Sequence, residues 1–413
     1  MAEIAILGYG VVGSGVLESL RINRVILEKK AGQPLHVKKV LDLRSFPGDP
    51  VEPILTREAR DILEDKEIDI IAEVMGGLSP AYEFHQKALS SGKHIVTSNK
   101  ELVSQYGAEL LALAKQNHVS FLFEASVGGG IPIIRPLNQT LTTENISQIA
   151  GILNGTTNYI LSHMQSHGLH FTEALRQAQE KGYAERDPSA DVEGYDACRK
   201  LAILLSLSVG RHVRYEDIHT EGISALEKED FLFADLYGDT IKLIAKGDIF
   251  SEYVEASVAP SLVSRSSIFS SVSDVYNAIM VTSNITDNIL FYGRGAGKLP
   301  AAGAVVSDIV EAARNCHGHI RHDWSPEVMP AAPFEEAVAV RRIRISYQDE
   351  NVAKREAESI FGSLERFIVH EELQQAVFAT PPMKEKDFKN KLALLARVSG
   401  VSFKNALRVF ADR

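Results

Sequence analysis

The feature that most constrains the fold of this chain is a glycine-rich segment, GYGVVG at residues 8–13, which directly follows an apolar run. In this spacing the first glycine permits a turn, the second lets the backbone approach a pyrophosphate, and the third allows close packing of a helix on a strand. Main-chain amides at the start of that helix can then bind the phosphates. The segment predicts a dinucleotide site with the residues Gly8, Gly10, Val11, Val12 and Gly13.

The first third of the chain alternates strand-like apolar runs with stretches of helical periodicity. Examples are AEIAILG, IDIIAEV and HIVTS for strands, and YEFHQKALSSG and GAELLALAKQN for helices. This alternation predicts a parallel sheet with crossover helices, so the expected fold class is α/β with a Rossmann-type dinucleotide-binding domain. Three glycines and two prolines in SVGGGIPIIRP, residues 126–136, interrupt the pattern. We predict that this domain covers residues 1–132 and is completed by about 300–320.

Two further domains are predicted downstream. Helical stretches such as FTEALRQAQEKG and YDACRKLAILLSLSVG mix with strand-like runs such as YVEASVAPSLV, which indicates an α+β domain over residues 133–299. A helix, AVVSDIVEAAR, is expected at residues 304–314. The tail, residues 336–413, has the pattern strand, helix, strand, strand, helix, strand, which is the ferredoxin-like βαββαβ order.

Composition excludes several classes of function. The chain has 413 residues and a formal net charge of −10, which argues against non-specific binding to nucleic acids, because such binding needs a basic face. No apolar run reaches bilayer-spanning length, and the first residues, MAEIAILGYG, lack the pattern of a signal peptide. The two cysteines lie far apart in sequence, which fits a reducing compartment. We therefore expect a cytoplasmic protein that acts on small molecules, with no nucleic-acid or membrane partner.

The choice between NAD and NADP depends on the end of the second predicted strand, VLDLRS. A carboxylate at this position holds the ribose hydroxyls of NAD, whereas an arginine accommodates the 2′-phosphate of NADP. Asp42 and Arg44 are both present, so the two signals compete. The cofactor is predicted to be NADP or NAD, and Arg44 favours NADP only slightly.

A carboxylate and a lysine are spaced for chemistry on one predicted helix. Asp196 and Lys200 lie four residues apart, one helical turn, beside an apolar run. An exposed pair of this kind would be a surface ion pair of little energetic value. Here, however, several carboxylates precede the pair, and Lys100 follows a Rossmann strand at the sheet edge where ligands bind. The pattern predicts hydride transfer to a carbonyl, a lysine that supplies the proton, and an amino-acid-like substrate whose ammonium group meets the carboxylates.

Six longer motifs together resemble the homoserine dehydrogenase family. They are GYGVVGSGV, VTSNKELV, FEASVGGGIPII, GILNGTTNYIL, KGYAERDPSADVEGYDACRKLAIL and GRGAGKLPAAGAVVSDI, in the order that the family has. The resemblance implies NAD(P)H-dependent, reversible reduction of L-aspartate 4-semialdehyde to L-homoserine, in the biosynthesis of threonine and methionine. It also implies that residues 133–299 form a catalytic and dimerisation domain, in a homodimer or homotetramer.

The resemblance further implies roles for single residues. Lys200 and Asp196 would serve the proton transfer, with Lys100 as a second lysine that faces substrate and cofactor. Glu185 would bind the amino group of the substrate. The remaining implied positions are Asn154, Gly155, Thr156, Tyr183 and Asp191 for the substrate, Ser98, Lys100 and Gly295 for the cofactor, and Glu124 with the main-chain carbonyls of Val127, Gly129 and Ile131 for a sodium ion.

Two questions stay open at this point. The tail resembles the small regulatory ACT domain of longer bacterial members, in which threonine commonly inhibits, but its first strand leads into YQDENVAKREAE without the usual Pro-Gly turn. An amino-acid effector site and a purely structural or dimer-forming module therefore both remain possible. The alternative functions are another amino-acid dehydrogenase of the same architecture and a non-catalytic nucleotide-binding sensor. The pair Asp196 and Lys200 argues against the sensor, because a sensor needs no proton donor.

Overall fold

A computed structural model shows the fold and describes residues 1–316 and 318–411 of the chain. The strands are β1 (Ala2–Leu7), β2 (Leu35–Leu41), β3 (Leu55–Thr56), β4 (Ile70–Glu73), β5 (His94–Thr97), β6 (Phe121–Leu122), β7 (Ile146–Ile152), β8 (Arg211–His212), β9 (His219–Thr220), β10 (Asp239–Ile249), β11 (Val254–Ser264), β12 (Tyr276–Ser283), β13 (Asn288–Arg294), β14 (Ser325–Val328), β15 (Val338–Ala339), β16 (Arg341–Tyr347), β17 (Phe367–His370), β18 (Gln375–Ala379), β19 (Met383–Lys384) and β20 (Val401–Phe410). The helices are α1 (Val11–Ile22), α2 (Arg24–Ala31), α3 (Arg60–Leu63), α4 (Ala81–Ser90), α5 (Lys100–Gln116), α6 (Gly155–His167), α7 (Phe171–Glu180), α8 (Ser189–Val192), α9 (Tyr195–Val209), α10 (Lys228–Tyr237), α11 (Lys298–Arg314), α12 (Glu350–Phe361) and α13 (Glu385–Leu395). Over the described residues, none of these helices is both long enough and apolar enough to cross a membrane.

The chain forms two compact units, each assembled from three separate segments. The first consists of Met1–Ile149, Arg199–Asp217 and Ile279–Pro330, and the second of Ala150–Cys198, Ile218–Ala278 and the residues from Ala331 onward. The division into domains 1–132, 133–299 and 336–413 stays a prediction. The last two residues of the third predicted domain, Asp412 and Arg413, lie outside the described residues.

The first unit contains a parallel six-stranded sheet in the order β3-β2-β1-β4-β5-β6. This is the strand order of a doubly wound dinucleotide-binding fold, so the predicted Rossmann-type α/β class is confirmed. The central strands are continuous apolar runs, and Ile4, Ile6 and Ile70 are fully buried, as expected where both faces of a sheet are covered. Strands β1, β2, β4 and β5 all end at one edge of the sheet, which is the edge where such folds bind ligands.

A helix from far along the chain completes the core on one side of this sheet. Helix α11 contributes Ile309 to the apolar cluster that contains the side chains of β1. A Cβ atom added to Gly15 of α1 would lie 2.9 Å from the Lys298 carbonyl oxygen, so this glycine lets the two helices approach closely. The helix predicted at 304–314 is confirmed, but it begins earlier, at Lys298, because a first helical turn tolerates Pro300.

The second unit is built mainly on antiparallel strands. Strands β10 and β11 pair along their whole length, from Asp239 with Ser264 to Ile249 with Val254. Strand β20 adds in parallel to β11, and the order continues β20-β16-β18-β17 with antiparallel neighbours. The tail therefore extends a sheet that begins in an earlier part of the chain.

The tail has the predicted βαββαβ order, formed by β16, α12, β17, β18, α13 and β20. Its own core contains Phe361, Phe378 and Phe388, which come from both helices and from the sheet. Buried Arg344 of β16 also donates to Asp230 of α10 at 2.8 Å, which fastens the tail to the rest of the second unit. The order of elements is confirmed, whereas the assignment as an ACT-like regulatory domain stays a prediction.

Candidate active site

The glycine-rich turn after β1 has the backbone geometry that a dinucleotide site needs. Gly8 has a φ of +98°, a left-handed value that favours glycine. A Cβ atom on Gly13 would collide with the Gly8 carbonyl oxygen, whereas one on Gly10 would have no neighbour within 4 Å. Among the described residues no side chain caps α1 at Gly10, so the first amides of the helix can bind an anion. The turn therefore fits a pyrophosphate.

Asp42 and Arg44, whose signals compete in the sequence, form one hydrogen-bonded pair after β2. Arg44 donates from its main-chain N and from Nε to Asp42 Oδ1 at 3.0 and 2.9 Å, and from Nη2 to Oδ2 at 2.8 Å. The Tyr9 amide also donates to Oδ2, at 2.8 Å. The hydrogen bonds from Arg44 hold the pKa of the Asp42 carboxyl well below its usual range. Both carboxylate oxygens are therefore engaged, while the Arg44 side chain is exposed.

Ser98 and Lys100 lie where β5 ends and α5 begins, at the ligand-binding edge of the sheet. Between them, Asn99 caps α5 by accepting from the Leu102 amide at 3.1 Å. Its Nδ2 also donates to the Gly77 carbonyl at 2.6 Å. Helix α5 starts at Lys100, which is half-buried. The cap therefore fixes the main chain that carries both predicted residues, although the sequence interpretation assigned Asn99 no role.

The sequence interpretation also missed Glu73, a fully buried carboxylate at the end of β4. Glu73 accepts from the Met75 amide and from Thr97 Oγ1, both at 2.7 Å, and lies 3.4 Å from His85 Nε2. Burial by itself would raise the pKa of Glu73, but the nearby His85 ring and the hydrogen bonds from Thr97 and Met75 outweigh burial and lower the pKa. Glu73 thus joins the loop after β4 to the end of β5. The available signal was a carboxylate that ends the apolar strand IIAE.

Helix α9 carries Asp196 and Lys200 one turn apart, and both side chains are buried, with 2% and 8% exposure. The pair is therefore not the solvated surface pair that spacing alone would suggest. Beside Lys200, Arg199 forms an ion pair of 3.0 Å with Glu101, which follows Lys100 in sequence. The residues next to the two lysines are thus in contact.

Asn154 lies at the centre of a cluster of carboxylate side chains in the second unit. Its Oδ1 accepts from the Thr157 amide at 2.8 Å and so caps α6. Its Nδ2 donates to Asp191 Oδ1 at 2.7 Å and to Asp196 Oδ2 at 2.8 Å. One buried asparagine therefore fixes two carboxylates relative to the first turn of α6. The structure thus brings together residues from two separate sequence motifs.

Three other predicted substrate residues lie nearer the surface. Thr156 Oγ1 donates to the Tyr183 carbonyl at 2.8 Å, which connects the start of α6 to the segment after α7. The Tyr183 ring makes an edge contact with Tyr159, with ring centroids 5.0 Å apart. Glu185 is exposed, and its main-chain carbonyl accepts from Gln179 at 3.0 Å. The Glu185 carboxylate is therefore accessible to a ligand from solvent.

The predicted sodium residues lie in the turn after β6. The carboxylate of Glu124 accepts from three consecutive main-chain amides, those of residues 133–135, at 2.6 to 2.9 Å. Because these amides already occupy its oxygens, the carboxylate is a poor direct ligand. Hard cations bind oxygen, so the fit of a sodium ion rests on main-chain carbonyls. The predicted carbonyls are those of Val127, Gly129 and Ile131.

A second buried carboxylate, Asp308 of α11, lies against this turn. Asp308 accepts from the Glu124 amide and from Arg135 Nη2, both at 2.8 Å. Burial and the nearby Glu124 charge raise the pKa of Asp308 to about 7, although the hydrogen bond from the Glu124 amide and the charge of Arg135 oppose this rise. The turn therefore has two buried acidic groups and one partly exposed arginine. A carboxyl with a pKa near 7 is neutral in about half of the molecules at pH 7, and Arg135 carries a positive charge, so the turn has little net charge.

Gly295 lies between β13 and α11 and packs on the turn after β6. The Gly130 amide donates to the Arg294 carbonyl at 3.1 Å. A Cβ atom on Gly129 would collide with the Gly295 carbonyl oxygen, so the two main-chain segments approach as closely as glycine allows. The returning chain is thus held against the turn after β6, in the unit that contains the dinucleotide fold.

The structure distributes the predicted site residues over two groups. The group in the first unit offers helix amides and an arginine, which can bind a dinucleotide, and two lysines, either of which can act as a proton donor. The group in the second unit offers carboxylates and two hydroxyls, which suit a substrate with an ammonium group. The first group comprises the turn at residues 8–13, Arg44, Ser98, Lys100, Lys200 and Gly295, and the second comprises Asn154, Gly155, Thr156, Tyr183, Glu185, Asp191 and Asp196.

Comparisons with known proteins agree with this chemistry. Two family models match the chain, homoserine dehydrogenase over residues 132–310 and homoserine dehydrogenase, NAD binding domain, over residues 8–124. The homoserine dehydrogenase of Bacillus subtilis (strain 168) is 37% identical over 406 residues, which cover 94% of this chain and 94% of that protein.

Solved structures give the same result. The crystal structure of a homoserine dehydrogenase from Thiobacillus denitrificans is 34% identical, with a TM-score of 0.92 over 99% of this chain and 98% of that chain. A hyperthermophilic archaeal homoserine dehydrogenase in complex with NADPH is 27% identical, with a TM-score of 0.64 over 75% of this chain and 97% of that chain. The chain therefore belongs to the homoserine dehydrogenase family, the NAD(P)-dependent oxidoreductases that interconvert L-aspartate 4-semialdehyde and L-homoserine.

Proposed function

We propose that Lys200 donates the proton that the carbonyl oxygen takes up when L-aspartate 4-semialdehyde is reduced to L-homoserine. The observation that carries this proposal is the burial of Lys200 and Asp196 one turn apart on α9. Burial removes bulk water as a competing proton donor, and the carboxylate balances the ammonium charge. General acid catalysis of this kind contributes about 10² to 10⁴-fold to a reaction rate.

The proposed mechanism assigns one task to each group of residues. NADPH or NADH, when bound, supplies the hydride that adds to the carbonyl carbon. Lys200 transfers a proton to the carbonyl oxygen, so that the aldehyde becomes an alcohol, and the lysine regains its proton from solvent. In the reverse reaction Lys200 accepts the hydroxyl proton as a general base. Lys100 is the second lysine that faces substrate and cofactor, and Ser98 and Gly295 complete the cofactor site.

The carboxylates of the second unit are proposed to bind the substrate ammonium group. Glu185 is exposed, so its carboxylate can bind the ammonium group of a substrate that enters from solvent. Asp191 is held by Asn154 at 2.7 Å, so its position is set before the substrate binds. Gly155, Thr156 and Tyr183 lie around these groups and would shape the site.

Arg44 is proposed to bind the 2′-phosphate of NADPH, which makes NADPH the preferred cofactor. The Asp42 oxygens accept from Arg44 and from the Tyr9 amide, so they are not available to the ribose hydroxyls that NADH would present. The exposed guanidinium can exchange a bond to Asp42 for bonds to a phosphate. The NADPH complex of the archaeal relative is consistent with this preference.

Replacing Arg44 by leucine should lower kcat/KM for NADPH about 30-fold, because a charge-assisted hydrogen bond to phosphate contributes about 1.5 to 3 kcal/mol. The value for NADH should change less than about threefold, since the 2′-hydroxyl does not need this charge. Steady-state rates with both cofactors measure the difference. Arg24→Leu, at an exposed position of α2, is the matched control. Equal losses with NADPH and NADH would contradict the proposed contact.

A sodium ion is proposed to bind the carbonyls of Val127, Gly129 and Ile131 beside Glu124. The support is chemical: these are main-chain oxygen donors, the type of ligand that a hard cation prefers, and the buried carboxylate of Glu124 lies in the same turn. The ion would hold the turn that packs on Gly295. Its role is therefore structural, and no step of the reaction passes through it.

Association and regulation are proposed from the family resemblance and the form of the tail. The chains would form a homodimer or homotetramer through residues 133–299, and residues 336–413 would bind an amino-acid effector such as threonine. The confirmed βαββαβ order supports the second point. Light scattering should give a mass of two or four chains, and rates measured with and without threonine should differ. A monomer would contradict the proposed association, and rates that threonine leaves unchanged would contradict the proposed regulation.

A cytoplasmic location is also proposed, because no disulfide joins Cys198 and Cys316.

A further inference from the structure

Lys242, on β10, is a buried lysine whose described partners are not carboxylates. Its side chain is 3% exposed, its Nζ donates to the Val272 carbonyl at 2.6 Å, and Nζ lies 3.4 Å from Asn158 Oδ1. Burial lowers the pKa of Lys242 to about 8. An ammonium group is unfavourable in such a place unless its hydrogen bonds are satisfied. The Val272 carbonyl and the Asn158 side chain therefore provide the hydrogen-bond acceptors that this buried ammonium group needs.

Asn158, on α6, binds the same main-chain turn as Lys242. Its Nδ2 lies 3.2, 3.0 and 3.0 Å from the carbonyl oxygens of Val272, Asp274 and Tyr276. Asp274 has a φ of +59°, a left-handed value that is uncommon for a residue other than glycine. Such a conformation persists only where the surroundings hold it. One asparagine and one lysine thus hold the turn at residues 272–276 by its carbonyl oxygens.

The turn at residues 272–276 packs directly on the start of α6. A Cβ atom on Gly155 would lie 2.8 Å from the Val275 carbonyl oxygen, so the two segments touch at this glycine. Asn158 follows Asn154 by one helical turn, and its amide donates to the Asn154 carbonyl at 3.2 Å. Any shift of the turn would therefore displace the start of α6, and with it Asn154, which caps the helix and binds two carboxylates.

We propose that Lys242 and Asn158 are positioning residues, which hold the turn at residues 272–276 against Gly155 and thereby fix the substrate-binding residues Asn154 and Thr156. This inference rests on the proposed assignment of Asn154 and Thr156 to the substrate. Lys242 and Asn158 act through the turn and need not touch the substrate. A displacement of about 1 Å at a substrate contact can cost up to about 10²-fold in rate. The effect should therefore appear in the use of the semialdehyde and not in the binding of NADPH.

Lys242→Met removes the ammonium group while keeping most of the volume of the side chain. We expect the KM for L-aspartate 4-semialdehyde to rise about tenfold, with the KM for NADPH and kcat each within about threefold of wild type. Lys242→Gln, which retains one donor for the Val272 carbonyl, should show a smaller rise. The matched control is Lys246→Met, on the same strand, where the lysine pairs with Asp248 at 2.8 Å outside this cluster. Steady-state kinetics on all four proteins, with melting temperatures, measure these effects.

The outcomes separate this inference from the proposed substrate site. A folded Lys242→Met protein with an unchanged semialdehyde KM would overturn the positioning role, and so would an equal rise in Lys246→Met. Failure of both Lys242 variants to fold would also overturn it, because the lysine would then serve the core. Thr156→Ala tests the substrate turn itself. A wild-type KM in Thr156→Ala would count against the substrate assignment, whereas a raised KM there with no change in Lys242→Met would refute only the positioning role.

Discussion

Replacing Lys200 by methionine should lower kcat for the reduction of L-aspartate 4-semialdehyde by about 10³-fold, because the substitution removes the proposed proton donor. Methionine has similar length and suits a site that is 8% exposed, so the protein should remain folded. The affinity for NADPH should stay near wild type, since the turn at residues 8–13, which is proposed to bind the cofactor, lies elsewhere on the chain. Stopped-flow or steady-state oxidation of NADPH measures the rate, and fluorescence titration measures the affinity.

Two further variants make the Lys200 result specific. Lys246→Met applies the same change to a lysine that pairs with Asp248 and has no proposed role in the reaction, and it should leave kcat unchanged. Lys100→Met removes the second lysine of the site. A Lys200→Met protein that retains more than about a tenth of the wild-type kcat would exclude Lys200 as the main proton donor. If Lys100→Met alone caused the 10³-fold loss, the two lysines would have the opposite roles.

Replacing Gly13 by alanine should destabilise the first unit by about 3 kcal/mol, because the added Cβ atom would collide with the Gly8 carbonyl oxygen across a tight turn. Neither atom belongs to a flexible side chain, so the main chain would have to move. NADPH binding should be lost together with stability, since the same turn presents the helix amides. Denaturant unfolding of the cofactor-free protein measures the first effect, and NADPH titration measures the second.

Gly10→Ala is the matched control for Gly13→Ala. A Cβ atom on Gly10 has no neighbour within 4 Å, so the free energy of unfolding without cofactor should change by less than about 0.5 kcal/mol. NADPH affinity should nevertheless fall about tenfold, because the methyl group would enter the space that a pyrophosphate needs. Equal stability losses in both variants would contradict the distinct roles of the two glycines.

The dinucleotide fold could be predicted because its signals are local. The turn at residues 8–13, the apolar runs of β1 and β4 and the crossover helices each have a recognisable spacing, and the observed strand order agrees with them. The tail was predicted for the same reason, since each of its six elements has a clear period. Helix α11 was predicted too short, because a proline inside a periodic pattern indicates a boundary although a first turn accepts it.

The site residues that were not predicted have at most a weak local signal. Glu73 and Asn99 are single polar residues at the end of a strand and the start of a helix. Their importance follows from hydrogen-bond partners that are remote in sequence, such as Thr97 for Glu73 and the Gly77 carbonyl for Asn99. Lys242 sits in a strand-like run where a lysine would ordinarily face solvent. Only burial and the carbonyls of a remote turn give it a role. Such contacts depend on how the strands pair, which spacing within one segment does not determine.

The sequence by itself determined the α/β class, the glycine-rich turn after β1, the βαββαβ tail and the helix that carries Asp196 and Lys200, because these depend on residue spacings of a few positions. The tertiary structure decided which of these residues are buried and what they contact. It showed that each compact unit is assembled from three chain segments, that Asn154 holds Asp191 and Asp196, and that Asp42 is engaged by Arg44. The physical reason is that burial and hydrogen-bond partners arise from contacts between segments far apart in sequence, where no periodicity operates.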